Sequence, residues 1–357
     1  MEENFIMKNK KNDFLNKKIL SSKFPYIIAE IGINHNGKVK LAKKMMLSAK
    51  KNGASCVKFQ ALIADNYISK FANKASYQKK DNKVKSKSQL EIIKSCEISI
   101  KEMMELKKFA KKIKIDFLCT PFEIWSLKAL VNIGIEAIKI SSCNLTNIPF
   151  LKLAAKTKLP ILLSTGMGNI QEVKSAVNIF KKTKSPLLLF QCTSNYPAKI
   201  ENANMLVLNT YKKLFKCPVG FSDHTPSILP AITAISLGAS VIEKHFTISK
   251  KLPGIDQKAS IEPNDLKELV SIAKKTKQIL GNSIKFKTKE EIDTAKSLRR
   301  SLVASQNLFK GQKILKSQIS IKRPGTGIEP KHFQKIVGKK LKKNVKADQV
   351  LKFNQFK

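Results

Sequence analysis

Short apolar runs, each ending in a polar residue and followed by an amphipathic stretch, recur along the chain from residue 24. They read FPYIIAEIG (24–32), ASCVKFQ (54–60), IDFLCT (115–120), EAIKISS (136–142), PILLSTG (160–166), PLLLFQCT (186–193), CPVGFSD (217–223) and SVIEKHF (240–246). A strand that is apolar on both faces belongs in a parallel sheet covered by helices. The intervening stretches LAKKMMLSAKKNGA and IQEVKSAVNIFKK carry apolar residues at i, i+3, i+4 and i+7, the stripe of a helix packed on one side. Eight such units predict an α/β fold, a (β/α)8 TIM barrel, over residues 23–285.

Three segments break the pattern. Residues 61–89, ALIADNYISKFANKASYQKKDNKVKSKSQ, form a long polar excursion after the second strand, on the side where barrel active sites lie, and read as a loop that covers substrate. Beyond residue 285, a linker over 286–297 leads into short β-like pieces with Gly and Pro punctuation, a small β-rich domain over 298–357. Residues 1–22 lack a long apolar core and a cleavage site, and read as a basic, poorly ordered lead-in.

Charge changes the picture less than its size suggests. The formal net charge is +42, which raises a basic nucleic-acid-binding protein as an alternative class. Arginine occurs only at Arg299, Arg300 and Arg323, so the charge is lysine scattered along helices, without the bidentate donors that phosphate and base readers favour. The six cysteines form no CxxC pair and sit mostly in apolar runs, which suits a reduced, cytoplasmic protein. No apolar stretch approaches the roughly 20 residues of a membrane span.

In a barrel, reacting groups project from the C-terminal ends of the strands. Those ends carry Glu30, Lys58, Gln60, Thr120, Lys139, Ser141, Ser142, Ser164, Thr165, Gln191, Thr193, Ser194, Ser222, Asp223, His224, Glu243, Lys244 and His245. A lysine inside an apolar strand requires an anion, because burying an unpaired ammonium is costly. Lys58 and Lys139 therefore point either to buried ion pairs with Glu30 or Glu243 or, together with Thr120 and Ser142, to a bound phosphate or carboxylate. His224 and His245 end consecutive strands and are candidates for shared binding of a divalent metal or for acid/base work. No Walker A loop is present, and the serines lack a GxSxG elbow.

In order and spacing, AEIGINHNG (29–37), VKFQ (57–60), CTPF (119–122), IKISS (138–142), STGM (164–167), CTSNYP (192–197), GFSDHT (220–225), EKHFT (243–247), PGIDQKASIEP (253–263), RRSLVA (299–304) and KRPGTGI (322–328) resemble the motifs of the sialic acid synthases. That family includes N-acetylneuraminate, legionaminic acid and pseudaminic acid synthases. The resemblance implies condensation of phosphoenolpyruvate with an N-acylated hexose and water to give a nine-carbon 2-keto acid and phosphate. It also implies a C-terminal antifreeze-like (SAF) domain. By the same resemblance Lys58, Thr120, Lys139, Ser142, Ser194 and Ser222 hold phosphoenolpyruvate, and Gln60, Tyr196, Asp256 and Arg323 contact the sugar. His224 and His245 hold a divalent metal, typically manganese, with magnesium or cobalt as alternatives. Glu30, Lys58 and Lys139 are the implied catalytic residues, with Glu30 managing a proton. Arg323 is implied to reach the neighbouring subunit's site, hence a domain-swapped homodimer.

Two departures bear on the sugar. Where the family carries an acidic residue after the fourth strand, this chain has Asn144 in SSCNLTN, which implies the loss of a carboxylate that accepts a sugar hydroxyl. The loop containing KASYQ is similar to bacterial members, favouring an unphosphorylated sugar. N-acetylmannosamine and a 2,4-diacetamido sugar both stay open as acceptors. The competing barrel reading, another phosphoenolpyruvate-dependent 3-deoxy-keto-acid synthase, lacks a counterpart to KRPGTGI.

Overall fold

Each apolar run becomes a parallel strand: β1 (Tyr26–Gly32), β2 (Cys56–Ala61), β3 (Asp116–Pro121), β4 (Ile138–Ile140), β5 (Ile161–Ser164), β6 (Leu187–Cys192), β7 (Val219–Asp223) and β8 (Val241–His245). The computed structural model describes residues 13–74 and 88–357, and places these strands in the order β3-β2-β1-β8-β7-β6-β5-β4. β3 and β4, the ends of that order, pack side by side and close the cylinder. β1 is buried along its whole length, as are β5, β7 and β8, which explains why the sequence shows runs rather than alternation.

The helices carry start signals that the chain spells out. Ser99 and Glu102 form a reciprocal capping box at the head of Ile100–Lys112, and Asn169 with Glu172 does the same for Ile170–Thr183. Their apolar stripes, such as Met103, Leu106 and Ala110, join one large core with the outward faces of the strands.

The first unit runs to residue 281 and the second covers 282–357. In the second, β9 (Ser301–Ala304) pairs antiparallel with β10 (Ile319–Lys322) over a small core that includes Leu302, Leu308, Ile314, Ile336 and Leu351. The stretch read as a linker, 286–297, is instead mostly helix (Lys289–Leu298), capped by Thr288 and tied to the β-rich part by the Gly325 N–H donating to the Lys296 carbonyl at 2.8 Å. The N-terminal reading needs correction too. Residues Leu15–Leu20 form a helical turn, and Phe14, Leu15 and Ile19 are buried against Tyr26, Ile28, Leu118, Leu162 and Phe190 at the barrel's floor. The bottom of a barrel exposes apolar side chains unless something covers them, and this segment does so. Residues 1–12 lie outside the described residues.

Of the long loop 61–89, Ala64–Tyr67 is a helical turn and Gln89–Lys94 begins within its last residue. Ile33, Leu62, Ala64, Ile68, Ile92 and Ile93 pack together into a small apolar cluster beside the mouth of the barrel. Most of KASYQ falls in 75–87, outside the described residues.

Candidate active site

At the C-terminal mouth lies a cavity of about 300 Å³ lined by Glu30, Lys58, Gln60, Thr120, Lys139, Ser142, Ser194, Tyr196, Ser222, His224, His245 and Asp256. Every barrel residue assigned to the site from the sequence is therefore gathered there. Arg323 is not among them: it lies, exposed, in the second unit. A larger groove of about 680 Å³, lined by Lys18, Lys107, Lys111 and Lys114 among others, lies at the start of β3 and brings no comparable set of groups together.

Strand alternation sorts the remaining strand-end residues. Side chains at successive positions face opposite ways, so on β8 Glu243 and His245 line the cavity while Lys244 faces the helices. Thr165 bonds the Phe190 carbonyl and Tyr211, Gln191 bonds the Ala203 carbonyl, and the Thr193 hydroxyl bonds the Asn202 carbonyl; none of the three lines this cavity. Sequence reasoning gave no role to Ser164, which accepts a 2.6 Å hydrogen bond from Lys139, although its place at the end of β5 marked it.

The anion that the two lysines require is supplied by the protein. Lys58 Nζ lies 2.9 Å from Glu30 Oε2 and 3.6 Å from Glu243 Oε2, and it donates to Thr120 Oγ1 at 2.9 Å. Lys139 Nζ lies 3.4 Å from Glu243 Oε1. Burial opposes ionisation of Glu243, but Lys139 and Lys58 beside it hold its pKa down at about 2. Burial likewise works against the charge on Lys58, yet Glu243 and Glu30 outweigh it and raise the pKa. For Lys139 burial wins and the pKa falls. Burial raises the pKa of Glu30, with Lys58 opposing.

Hydroxyls surround this charged floor. Ser222 donates to Glu243 Oε1 at 2.9 Å, and Ser142 Oγ accepts from the Gly166 N–H at 2.9 Å and lies 3.2 Å from Cys192 Sγ. Any larger residue at Gly166 would displace these hydroxyls. A Cβ there would stand 2.3 Å from Ser194 Oγ and 2.9 Å from Ser142 Oγ.

Beside this floor, where Ser222 Oγ lies 3.4 Å from His224 Nε2, the rings of His224 and His245 have centroids 5.6 Å apart, with Tyr196 4.2 Å from the first and 5.5 Å from the second. His224 Nδ1 lies 2.7 Å from the Thr193 carbonyl, an acceptor only, so this nitrogen carries the proton and Nε2 keeps its lone pair. Burial lowers the pKa of His224 to about 4, and burial together with the neighbouring His224 lowers that of His245 well below the usual range. His245 Nδ1 is buried without a hydrogen bond, 3.7 Å from Asp256 Oδ2. Two neutral, buried imidazoles, one with an orphaned nitrogen, fit a divalent ion. Among the described residues no group of three or more His, Cys, Asp or Glu converges in that way.

Position 144 differs from its expected role. The Asn144 side chain does not line the cavity: its Nδ2 donates to the Phe122 carbonyl at 3.1 Å, and its Oδ1 accepts from Asn147 at 2.9 Å. It ties the loop after β4 to the end of β3, and the residue facing the cavity at this point is Cys143.

Paired lysines and paired histidines at the C-terminal mouth of a (β/α)8 barrel define an anion-handling barrel enzyme. The chain belongs to the NeuB family, whose model matches residues 45–285, and a SAF domain matches residues 299–357. N,N'-diacetyllegionaminic acid synthase of Legionella pneumophila is 40% identical over 93% of this chain and 94% of its own length. The N,N'-diacetyllegionaminic acid synthase of Campylobacter jejuni is 40% identical over 91% of this chain and 98% of its own. Among solved structures, the N-acetylneuraminic acid (sialic acid) synthetase of Leptospira borgpetersenii, in complex with citrate, matches with a TM-score of 0.68 and 36% identity, covering 77% of this chain and 92% of that one.

Proposed function

We propose that this enzyme condenses phosphoenolpyruvate with an N-acylated hexose and water, giving a nine-carbon 2-keto acid and phosphate, and that its preferred acceptor is a 2,4-diacetamido sugar. The observation that carries the reaction is the cavity floor, where Lys58 and Lys139 converge with several hydroxyls beside two neutral histidines. The test is turnover of phosphoenolpyruvate against a panel of N-acylated hexoses, read as phosphate released and product mass.

Lys58 and Lys139, with Thr120, Ser142, Ser194 and Ser222, bind the phosphate and carboxylate of phosphoenolpyruvate. Because Glu30 and Glu243 already hold both ammonium groups in place, the site is organised before the anion arrives. His224 and His245 would hold a divalent ion, manganese in this proposal, which when bound would supply Lewis-acid polarisation of the sugar aldehyde. Gln60, Tyr196 and Asp256 orient the open-chain sugar so that the enol carbon faces the aldehyde carbon. The new carbon–carbon bond leaves a cationic carbon at C2, which water attacks. Collapse of that adduct breaks the carbon–oxygen bond to phosphate and leaves the ketone. Glu30, its pKa raised by burial, relays the proton released by the attacking water to the alkoxide formed at the former aldehyde carbon.

The acceptor preference rests on the two relatives named for diacetyllegionaminic acid and on the apolar side of the cavity. Ile33, Leu62, Ile68, Ile93, Phe122 and Ile255 line it, a wall suited to methyl groups and unable to satisfy additional hydroxyls. Arg323 is assigned to the N-acyl group of a sugar bound in a partner subunit of a homodimer. Mixing an Arg323→Ala chain with a Lys58→Ala chain restores activity if that arginine acts across subunits, and leaves the mixture inactive if it does not.

A further inference from the structure

Behind the two histidines, on the far side of the same strands, Lys244 Nζ lies 2.7 Å from Asp223 Oδ2, and the two side chains are 1% and 0% exposed. Neither group lines the cavity. A buried ion pair is a poor stabilising device, since well-packed apolar residues of similar volume commonly do as well or better. Its geometry suggests another use. The β7–β8 ladder has its last paired position at Asp223 and Lys244, so His224 and His245 each follow directly on the residue where pairing stops. Their separation is therefore not set by a ladder between their own strands.

The ion pair takes over at that point. Asp223 Oδ1 accepts the Thr225 N–H at 2.8 Å, and Lys244 Nζ donates to the Thr225 carbonyl at 2.7 Å. Both backbone polar groups of the residue after His224 are thus held by side chains, one of them from the neighbouring strand. On the other side His245 is fixed independently: it pairs with Glu30 of β1, and the Phe246 N–H donates to the Glu30 carbonyl at 2.7 Å.

We propose that the Asp223–Lys244 pair is a positioning clamp that locks the backbone around His224 to β8 and so sets the approach of His224 to His245 for a divalent cation. This inference rests on the metal role proposed above for the histidines. Neither residue touches substrate or metal; both act through the peptide at Thr225. The signature of such a role is a loss of cation affinity that does not follow folding stability.

The test titrates the metal-stripped full-length chain with Co²⁺, following visible absorbance and heat, alongside circular dichroism and thermal melting. An Asp223→Asn/Lys244→Met variant removes the clamp without leaving a lone buried charge, and Asp223→Asn/Lys244→Gln, which is likewise uncharged but keeps polar side chains at both positions, is the second variant should the first not fold. The expected result is Co²⁺ affinity lower by about 10–100-fold in the first variant and by a smaller factor in the second, with native circular dichroism. Wild-type affinity in whichever of these variants folds would overturn the clamp. A His224→Ala/His245→Ala chain separates the two ideas: if it binds Co²⁺ like wild type, the metal reading fails, whereas loss of binding there with wild-type binding in the clamp variants overturns the clamp alone.

Discussion

Glu243 Oε1 lies 3.4 Å from Lys139 Nζ, while the other oxygen of the same carboxylate lies 3.6 Å from Lys58 Nζ. One buried carboxylate thus balances both lysines assigned to phosphoenolpyruvate. Removing one member of such a buried set leaves charge without a partner, at about 3–5 kcal/mol. Glu243→Gln is therefore expected to melt well below the wild type, and inorganic phosphate is expected to raise its melting temperature more than that of the wild type, because the anion replaces the missing charge. Equal melting temperatures with and without phosphate in the two proteins would contradict this role.

Asp256 is the residue through which acidity reaches the folded state most visibly. Burial, reinforced by Glu30, raises its pKa from 3.8 to about 7. A carboxyl with a raised folded pKa contributes stability that is fully present below 3.8 and is lost as pH rises toward about 7. In the metal-stripped chain, Asp256→Asn should match the wild type at the acid end of that window and become progressively more stable than it toward neutral pH. His224, lowered from 6.5 to about 4, runs oppositely in both proteins and cancels in the comparison. A stability difference that does not change with pH would show that Asp256 is not desolvated as described.

The crowding at Gly166 separates anion binding from sugar binding. A Cβ placed 2.3 Å from Ser194 Oγ must push that hydroxyl aside, and overpacking of this kind costs about 1–3 kcal/mol. Gly166→Ala is expected to raise KM for phosphoenolpyruvate by roughly tenfold or more while leaving KM for the sugar near its wild-type value. An effect on the sugar's KM alone would place the hydroxyls in a different subsite.

Asn144 is expected to matter for folding and not for sugar choice. Asn144→Ala leaves the Phe122 carbonyl without its donor, at about 1–3 kcal/mol of stability. Acceptor preference should not change, in contrast to Cys143, which faces the cavity. A shift in preference between N-acylated hexoses in Asn144→Ala would restore position 144 to the sugar site.

Much of the site was legible because its signals are local. A lysine in an apolar strand, as at Lys58 and Lys139, declares a buried charge, and the end of each barrel strand declares where it points. Lys244 gives the same signal and faces the other way; only period-two counting from His245 reveals this, and only the register of β7 on β8 reveals Asp223 as its partner. The floor-covering turn at Leu15–Leu20 stayed hidden because its partners, from Tyr26 to Val241, are scattered over the chain. Asn144 misled because a matched position says nothing of side-chain direction: its amide is spent on Phe122 and Asn147.

The most direct measurement supplies the enzyme with manganese, a 2,4-diacetamido hexose and phosphoenolpyruvate labelled at its bridging oxygen, and follows both products by mass spectrometry. The expected result is one nine-carbon 2-keto acid per phosphate, with the label in the phosphate and slower turnover of N-acetylmannosamine. Phosphoenolpyruvate left unconsumed with every N-acylated hexose would contradict the function assigned here.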